Sequence, residues 1–428
     1  MAKNLVLILI VASFFGNWLV DKNIIPEAVT IITEIVIFLL FVYSLILKAS
    51  KFKKFYFHNS IYFIFFILCA LSSSIINNWY NLQIVYSLRL ILRFYIFYLA
   101  LINIEFNDKI IRKINNFLLV MFVLQLPVSA INFYFYGIAE KTHGLHGRGG
   151  GLTTIIPLII IGFLTGYYLF FKKSYNYIIL GILFIFYGIV GAKAALLYLY
   201  PLAFITFYYI AFIKGKKIHL IKHIGIIILI VFSSFVVSNL IIKYNPRLNP
   251  ERRIGGPVDY EYAYWYTKDY STAKDLDNPS IAYGRLSTSK LAIQSLQNEG
   301  VMQMLLGFGP GAITPSIFGY EINKKVENIY KSYGVSGFIY ILVEYGIIGV
   351  AIIFWIFIKY FIECMKWFKT EKDPYYKAFS FGATFFAFFS IIIFVTYNNL
   401  PIAGDIMPLL FFYCMSIMHL KLNRAKLN

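Results

Sequence analysis

The chain has 428 residues, of which 60% are hydrophobic, 19% aromatic and only 14% charged. Soluble domains are nearer half apolar and a quarter charged, so an ordinary globular enzyme is excluded. The formal charge of +19, from 39 Lys or Arg against 20 Asp or Glu, would suggest nucleic acid for a soluble protein. In a membrane protein it must first be tested against the positive-inside bias.

Hydropathy places apolar runs near 4–20, 28–47, 61–76, 84–102, 114–133, 153–171, 175–191, 194–212, 224–242, 334–358, 378–396 and 407–420. Runs of about 20 residues suit a hydrocarbon layer roughly 30 Å thick. Each is expected to be helical, because lipid cannot satisfy an open backbone. Residues 1–21 carry a weak cleavage-like Val11-Ala12-Ser13 but a poor positive region, so they read as a first spanning helix rather than a signal peptide. Cys69, Cys364 and Cys414 sit in or beside apolar runs; they read as core residues, with no disulfide framework.

Twelve spans put both termini on one side. Lys48, Lys51, Lys53 and Lys54 begin a series of basic connections that continues with Lys109, Arg112 and Lys113, and with Lys172 and Lys173. Lys214, Lys216, Lys217 and Lys222, and then the stretch 359–377, complete it, and nearly neutral connections alternate with these. With the termini, that face holds 22 Lys or Arg; the short connections of the other hold Lys22, Lys141, Arg148 and Lys193. The expectation is an all-α polytopic membrane protein of about 12 transmembrane helices, both termini cytoplasmic, forming a single membrane domain over 1–428.

Residues 243–333, between the ninth and tenth spans, form a long outer loop. Loops of this length are uncommon and usually functional. The loop contains the aromatic run Tyr260-Glu-Tyr-Ala-Tyr-Trp-Tyr266 and a helix-like stretch, 285–297, with Leu286, Ile293 and Leu296 on one face. Gly307-Phe-Gly-Pro-Gly311 then breaks the chain.

Basic residues inside spans or on the outer face need a reason. Arg89 and Arg93, four apart, share a helix face. Either Arg89 snorkels to the outer surface while Arg93 pairs with a carboxylate such as Glu34, or the two grip an anionic head group, where a guanidinium fork suits diphosphate better than ammonium. Arg148 precedes Gly149, Gly150 and Gly151 at the start of a span, where backbone N–H groups and the helix dipole favour a phosphate; the plain alternative is a re-entry loop. His143 and His146 lack a third ligand at recognisable spacing, so no metal is assigned. Lys193, in the turn Gly191-Ala-Lys-Ala-Ala195, either snorkels or points into an outward cavity. Arg285 opens the loop helix and Lys290 follows; such residues are often merely solvated. Tyr264 and Trp265 suit stacking on sugar rings, although tyrosine-rich loops also pack at membrane interfaces. No P-loop, GxSxG, HExxH or CxxC pattern occurs, and no metal or other cofactor is expected.

These parts, in this order, resemble the superfamily of bacterial O-antigen polymerases and O-antigen ligases, from about Arg148 to Val350. The resemblance rests on the arginine-glycine turn, the GAKAAL turn, and Gly284-Arg285 opening the loop helix. It continues through Leu306-Gly-Phe-Gly-Pro-Gly311 and Ser336-Gly-Phe-Ile-Tyr-Ile-Leu-Val-Glu344-Tyr-Gly346. Lys193 replaces the family's usual arginine, and the Asn-Pro-Asn that commonly follows the arginine-glycine turn is absent. Val335 and Ser336 occupy the positions of the ligase branch's His-Asn pair, which favours a polymerase. The resemblance implies a glycosyltransferase of the bacterial inner membrane, acting at the periplasmic face on undecaprenyl-diphosphate-linked oligosaccharides. It would serve O-antigen, capsule or related polysaccharide biosynthesis, with a chain-length regulator as partner by resemblance only. Arg148 and Arg285 are then the expected diphosphate clamps; removing one such contact typically costs roughly 2.7–4 kcal/mol. Arg89, Arg93, Lys193, Lys290, Tyr264 and Trp265 are further substrate-binding candidates, and Glu321, Glu327 and Glu344 are candidate bases. An O-antigen ligase transferring polymer to lipid A-core is the first alternative. The second is a lipid-linked oligosaccharide flippase, although the paired halves of a transporter are not visible.

Overall fold

The computed structural model describes all residues except 27–30, 78–81, 140–141, 148–149, 192, 214–219, 273–283, 315–322, 331, 333–334 and 428. Among the described residues it is helical, with no strand. In order come α1 (Ala2–Asp21), α2 (Ile32–Ser50), α3 (Ser60–Ile76), α4 (Gln83–Ile104), α5 (Asp108–Val123), α6 (Gln125–Tyr136), α7 (Gly150–Gly166), α8 (Tyr175–Val190) and α9 (Leu196–Tyr208). Then follow α10 (Leu220–Tyr244), α11 (Tyr260–Thr272), α12 (Arg285–Glu299), α13 (Val301–Leu306), α14 (Glu327–Tyr330), α15 (Gly337–Thr370), α16 (Pro374–Thr396), α17 (Leu400–Ala403) and α18 (Ile406–Leu427).

Among the described residues, eight segments are long and apolar enough to cross a membrane: α1, α2, α4, α5 with α6, α7, α10, α15 and α16. The shorter apolar helices α3, α8, α9 and α18 occupy the remaining hydropathy peaks. The chain is an all-α, multi-pass membrane protein. The expected run 334–358 is only the first part of α15, which continues to Thr370.

Side-chain caps start several helices. Asn107 accepts the Ile110 N–H for α5, Ser336 the Ile339 N–H for α15, and Asp373 those of Tyr375 and Tyr376 for α16, with Pro374 at the first helical position. Burial divides the bundle: α16 is 78% buried over its apolar window and forms its centre, whereas α10 is 17% buried and lies at its edge. Without water to drive apolar surfaces together, close backbone approach drives packing in lipid. Here Gly162 of α7 receives the Phe385 ring of α16, and Gly382 of α16 receives the Phe163 ring of α7.

α15 is broken at Gly346, where φ is 66°. The break frees the carbonyls of Val343 and Glu344, which accept the N–H groups of Phe308 (2.8 Å) and Gly309 (3.2 Å). The motif Leu306-Gly-Phe-Gly-Pro-Gly311 and the motif Glu344-Tyr-Gly346 are therefore partners in space. Only glycine fits Gly346, since left-handed φ disfavours a side chain and a Cβ would collide with the Leu305–Leu306 backbone. Gly346→Ala is expected to destabilise the protein by about 2 kcal/mol or more, read as a lowered melting temperature of the detergent-solubilised chain; an unchanged melting curve would contradict this docking.

Candidate functional site

Several helix ends meet around one open cleft of about 390 Å³. The start of α7 contributes Gly151, the α8–α9 turn Lys193, the residues after α10 Arg247, α11 Tyr266 and Tyr270, the first position of α12 Arg285, and the end of α16 Tyr397 and Asn398. Lys193, Arg247 and Arg285 are cations, and no carboxylate is among the described residues that line the cleft.

Arg285 is placed by the junction of α11 with α12. The Ser287 hydroxyl donates to the Thr272 carbonyl (2.9 Å), and the Thr288 hydroxyl reaches both the Gly284 carbonyl (2.9 Å) and Ser332 (3.0 Å). Gly284 is pressed against the Tyr270 and Ser271 backbone, leaving no room for a Cβ. The Arg285 guanidinium then lies 4.5 Å from the centroid of the Tyr397 ring, with its Nε buried and without a hydrogen-bond partner. A guanidinium stacked on an aromatic face keeps its outer N–H fork for a planar or phosphate oxyanion. Tyr397 is fixed in turn by Thr154 of α7, hydroxyl to hydroxyl at 2.9 Å.

Arg247 sits in a turn held by Asn249, whose amide donates to the carbonyls of Asn245 (3.1 Å) and Arg253 (2.8 Å). Beside the cleft, His146 is buried and reaches the Tyr187 hydroxyl at 2.9 Å. Burial, and next the neighbouring His143, hold it down to about 3, so at neutral pH it adds no charge. Gly151 admits the Asn398 amide, which a Cβ would displace.

A second cleft, of about 510 Å³, shares Asn398 with the first. It lies over Glu344, whose carboxylate is buried and accepts from the Ser87 hydroxyl (2.5 Å), the Thr314 hydroxyl (2.6 Å) and the Ile313 N–H (3.2 Å).

Of the residues singled out in the sequence, Lys193 and Arg285 line the cationic cleft together with Gly151. Arg148 and Glu321 lie outside the described residues. Arg89 pairs with Glu34 at 3.1 Å, and Arg93 with Glu34 (3.4 Å) and Asp405 (2.7 Å); neither is among the residues lining these two clefts. Lys290 is exposed on α12, and Glu327 is exposed on α14. Tyr264 and Trp265 are 61% and 46% exposed on α11, and it is Tyr266 and Tyr270 that turn to the cleft. Leu286 is also exposed, and the buried face of α12 is Ser287, Thr288, Ala292 and Leu296. Sequence reasoning passed over Arg247, Tyr397 and Asn398. Compared with family models, curated proteins and solved structures, the chain has no match.

Because backbone rather than a flexible side chain blocks the space beside Gly284, Gly284→Ala must push α12 off α11 and carry Arg285 with it. It is expected to destabilise the protein by about 1–3 kcal/mol, read as a lowered melting temperature of the detergent-solubilised chain; an unchanged melting curve would separate Arg285 placement from this junction.

Proposed function

We propose that the chain is a polysaccharide polymerase that transfers a growing glycan from undecaprenyl diphosphate to a lipid-linked repeat unit at the periplasmic face of the bacterial inner membrane. The observation that carries this reading is the cleft where Lys193, Arg247 and Arg285 converge with no lining carboxylate among the described residues. Such a cleft suits an anion of high charge density. Its tyrosines, amide and hydroxyls suit the sugar attached to that anion. The resemblance to O-antigen polymerases, through Gly284-Arg285 and the paired glycine motifs, supplies the reaction class.

In this reaction an acceptor hydroxyl oxygen bonds to the anomeric carbon of the donor sugar. The bond from that carbon to the diphosphate oxygen breaks, and the diphosphate leaves with the electron pair. The hydroxyl proton passes to water or to a group beyond the described lining residues. Negative charge on the leaving oxygens grows as the bond breaks, so cations fixed beforehand lower the barrier more than they tighten the ground state. Arg285 is suited to this because its stacking on Tyr397 and its place at the first turn of α12 hold the fork still.

Arg285→Ala in the full chain should leave insertion intact and reduce long polymer to single repeats on gels of surface glycan. Arg285→Lys should restore little, because a point charge does not reproduce a bidentate fork. Normal polymer ladders in the alanine variant would remove Arg285 from the site, and full rescue by lysine would reduce its part to bulk charge. In a deletion strain, single repeats support polymerisation; polymer accumulating on the carrier lipid would point to ligation, and units retained inside to flipping.

A further inference from the structure

The second cleft differs from the first in chemistry. The residues described along it include Tyr86, Tyr330, Tyr340, Thr314, Asn398 and Asn399, and none is charged. Flat aromatic faces, amides and hydroxyls together are what recognise a polyhydroxylated ring: stacking on its apolar face and hydrogen bonds to its rim.

The polarity of these groups is set from below. Thr314 donates its proton to the Glu344 carboxylate at 2.6 Å, so at 2.5 Å the Tyr340 hydroxyl must donate to Thr314. Both hydroxyl protons are thus committed, and the Tyr340 oxygen keeps its acceptor lone pairs. One acceptor backed by a buried carboxylate, beside the hydroxyls and amides of Tyr86, Tyr330, Asn398 and Asn399, suits the hydroxyl rim of a sugar, and no cation lies among the described lining residues to favour phosphate. The cationic cleft has the opposite preference. The two adjoin at one short segment: Tyr397 and Asn398 line the first, Asn398 and Asn399 the second.

We propose that the second cleft is the acceptor subsite, binding an uncharged sugar unit of the incoming repeat and presenting its hydroxyl across Asn398 to the anomeric carbon of the donor in the cationic cleft. This rests on the reading of the first cleft as the diphosphate site. The clefts sort the reacting groups by charge: the donor's diphosphate is held on one side of Asn398 and the uncharged accepting sugar of the lipid-linked repeat on the other. Asn398 touches both and is a positioning residue for the approach of the two sugars.

The test uses the full chain in lipid nanodiscs and two probes. One is undecaprenyl diphosphate; the other is the soluble repeat-unit oligosaccharide prepared by mild acid cleavage of the source strain's own surface polysaccharide. Ala403→Trp fills the second cleft without removing a polar group, and Tyr330→Ala removes a ring from an exposed position. Both variants are expected to weaken oligosaccharide binding at least tenfold while undecaprenyl diphosphate binding stays within twofold of wild type. Arg285→Ala is expected to do the reverse. Wild-type protein that binds the diphosphate but not the oligosaccharide, or variants that keep the oligosaccharide, would overturn this inference and leave the cationic site standing. Wild-type protein that fails to bind the diphosphate would overturn the reading of the first cleft and this one with it.

Discussion

A backbone carbonyl released inside an apolar helix has no water to turn to, and leaving it unmet costs several kcal/mol. The break at Gly346 releases two, on Val343 and Glu344, and the chain meets them with the N–H groups of Phe308 and Gly309. Asn77 adds its amide to the Gly307 carbonyl at 2.9 Å, so α3 joins the same knot. The segment after α13 is thereby pinned into the membrane bundle. Once pinned, it brings Ile313 and Thr314 onto the Glu344 side chain, which also holds Ser87 of α4. Four stretches distant in sequence are locked to one buried carboxylate and one helix break. The part of the long segment between α10 and α15 that follows α13 is consequently seated on the bundle rather than tethered beside it.

The treatment of charge sharpens this picture. Elsewhere in the bundle, cations at depth are matched with carboxylates: Arg89 and Arg93 with Glu34 and Asp405, buried Lys48 with Glu105 at 2.5 Å, Lys421 with Asp108 at 3.1 Å. A charge placed at membrane depth is costly unless paired or wet, so this matching is what folding alone requires. The cationic cleft gathers Lys193 of the α8–α9 turn, Arg247 after α10 and Arg285 at the start of α12, with no carboxylate among the described residues that line it.

What the sequence made legible follows from the range of each signal. Hydropathy acts over a single helix, so the apolar segments were readable. Lys193 stood out because a basic residue in a sparsely charged short connection contradicts a strong local trend, and Arg285 stood out only through the Gly284-Arg285 pair of the resemblance. Arg247 escaped notice because charge counting is silent within a long loop. The aromatic run 260–266 advertised Tyr264 and Trp265, but it continues as the helix α11. Its period brings Tyr266 and Tyr270 inward, leaving the other two in the open. Leu286 was misleading for a related reason: the face that α12 buries is chosen by the hydroxyls of Ser287 and Thr288 reaching the end of α11 and Ser332. The mutual docking of the Gly307 and Gly346 motifs is a contact across more than thirty residues. Neither motif alone carries a trace of it beyond the glycines that make it sterically possible.

The short segment 397–399 illustrates how such a protein builds a site where regular helices stop. α16 is the most buried of the long helices, and its end is set by its packing against α7, including the Thr154–Tyr397 contact. The three residues that follow therefore emerge at a position fixed by the core rather than by loop conformation. Tyr397 supports a cation, Asn398 borders both clefts, and Asn399 faces the neutral one. A group-transfer site needs charge discrimination between leaving group and nucleophile within a few ångströms. Under the transferase reading proposed above, opposite electrostatic preferences on the two sides of one rigid turn would supply it more reliably than long side chains on a mobile loop, since each degree of freedom left unfixed must be ordered again at every turnover.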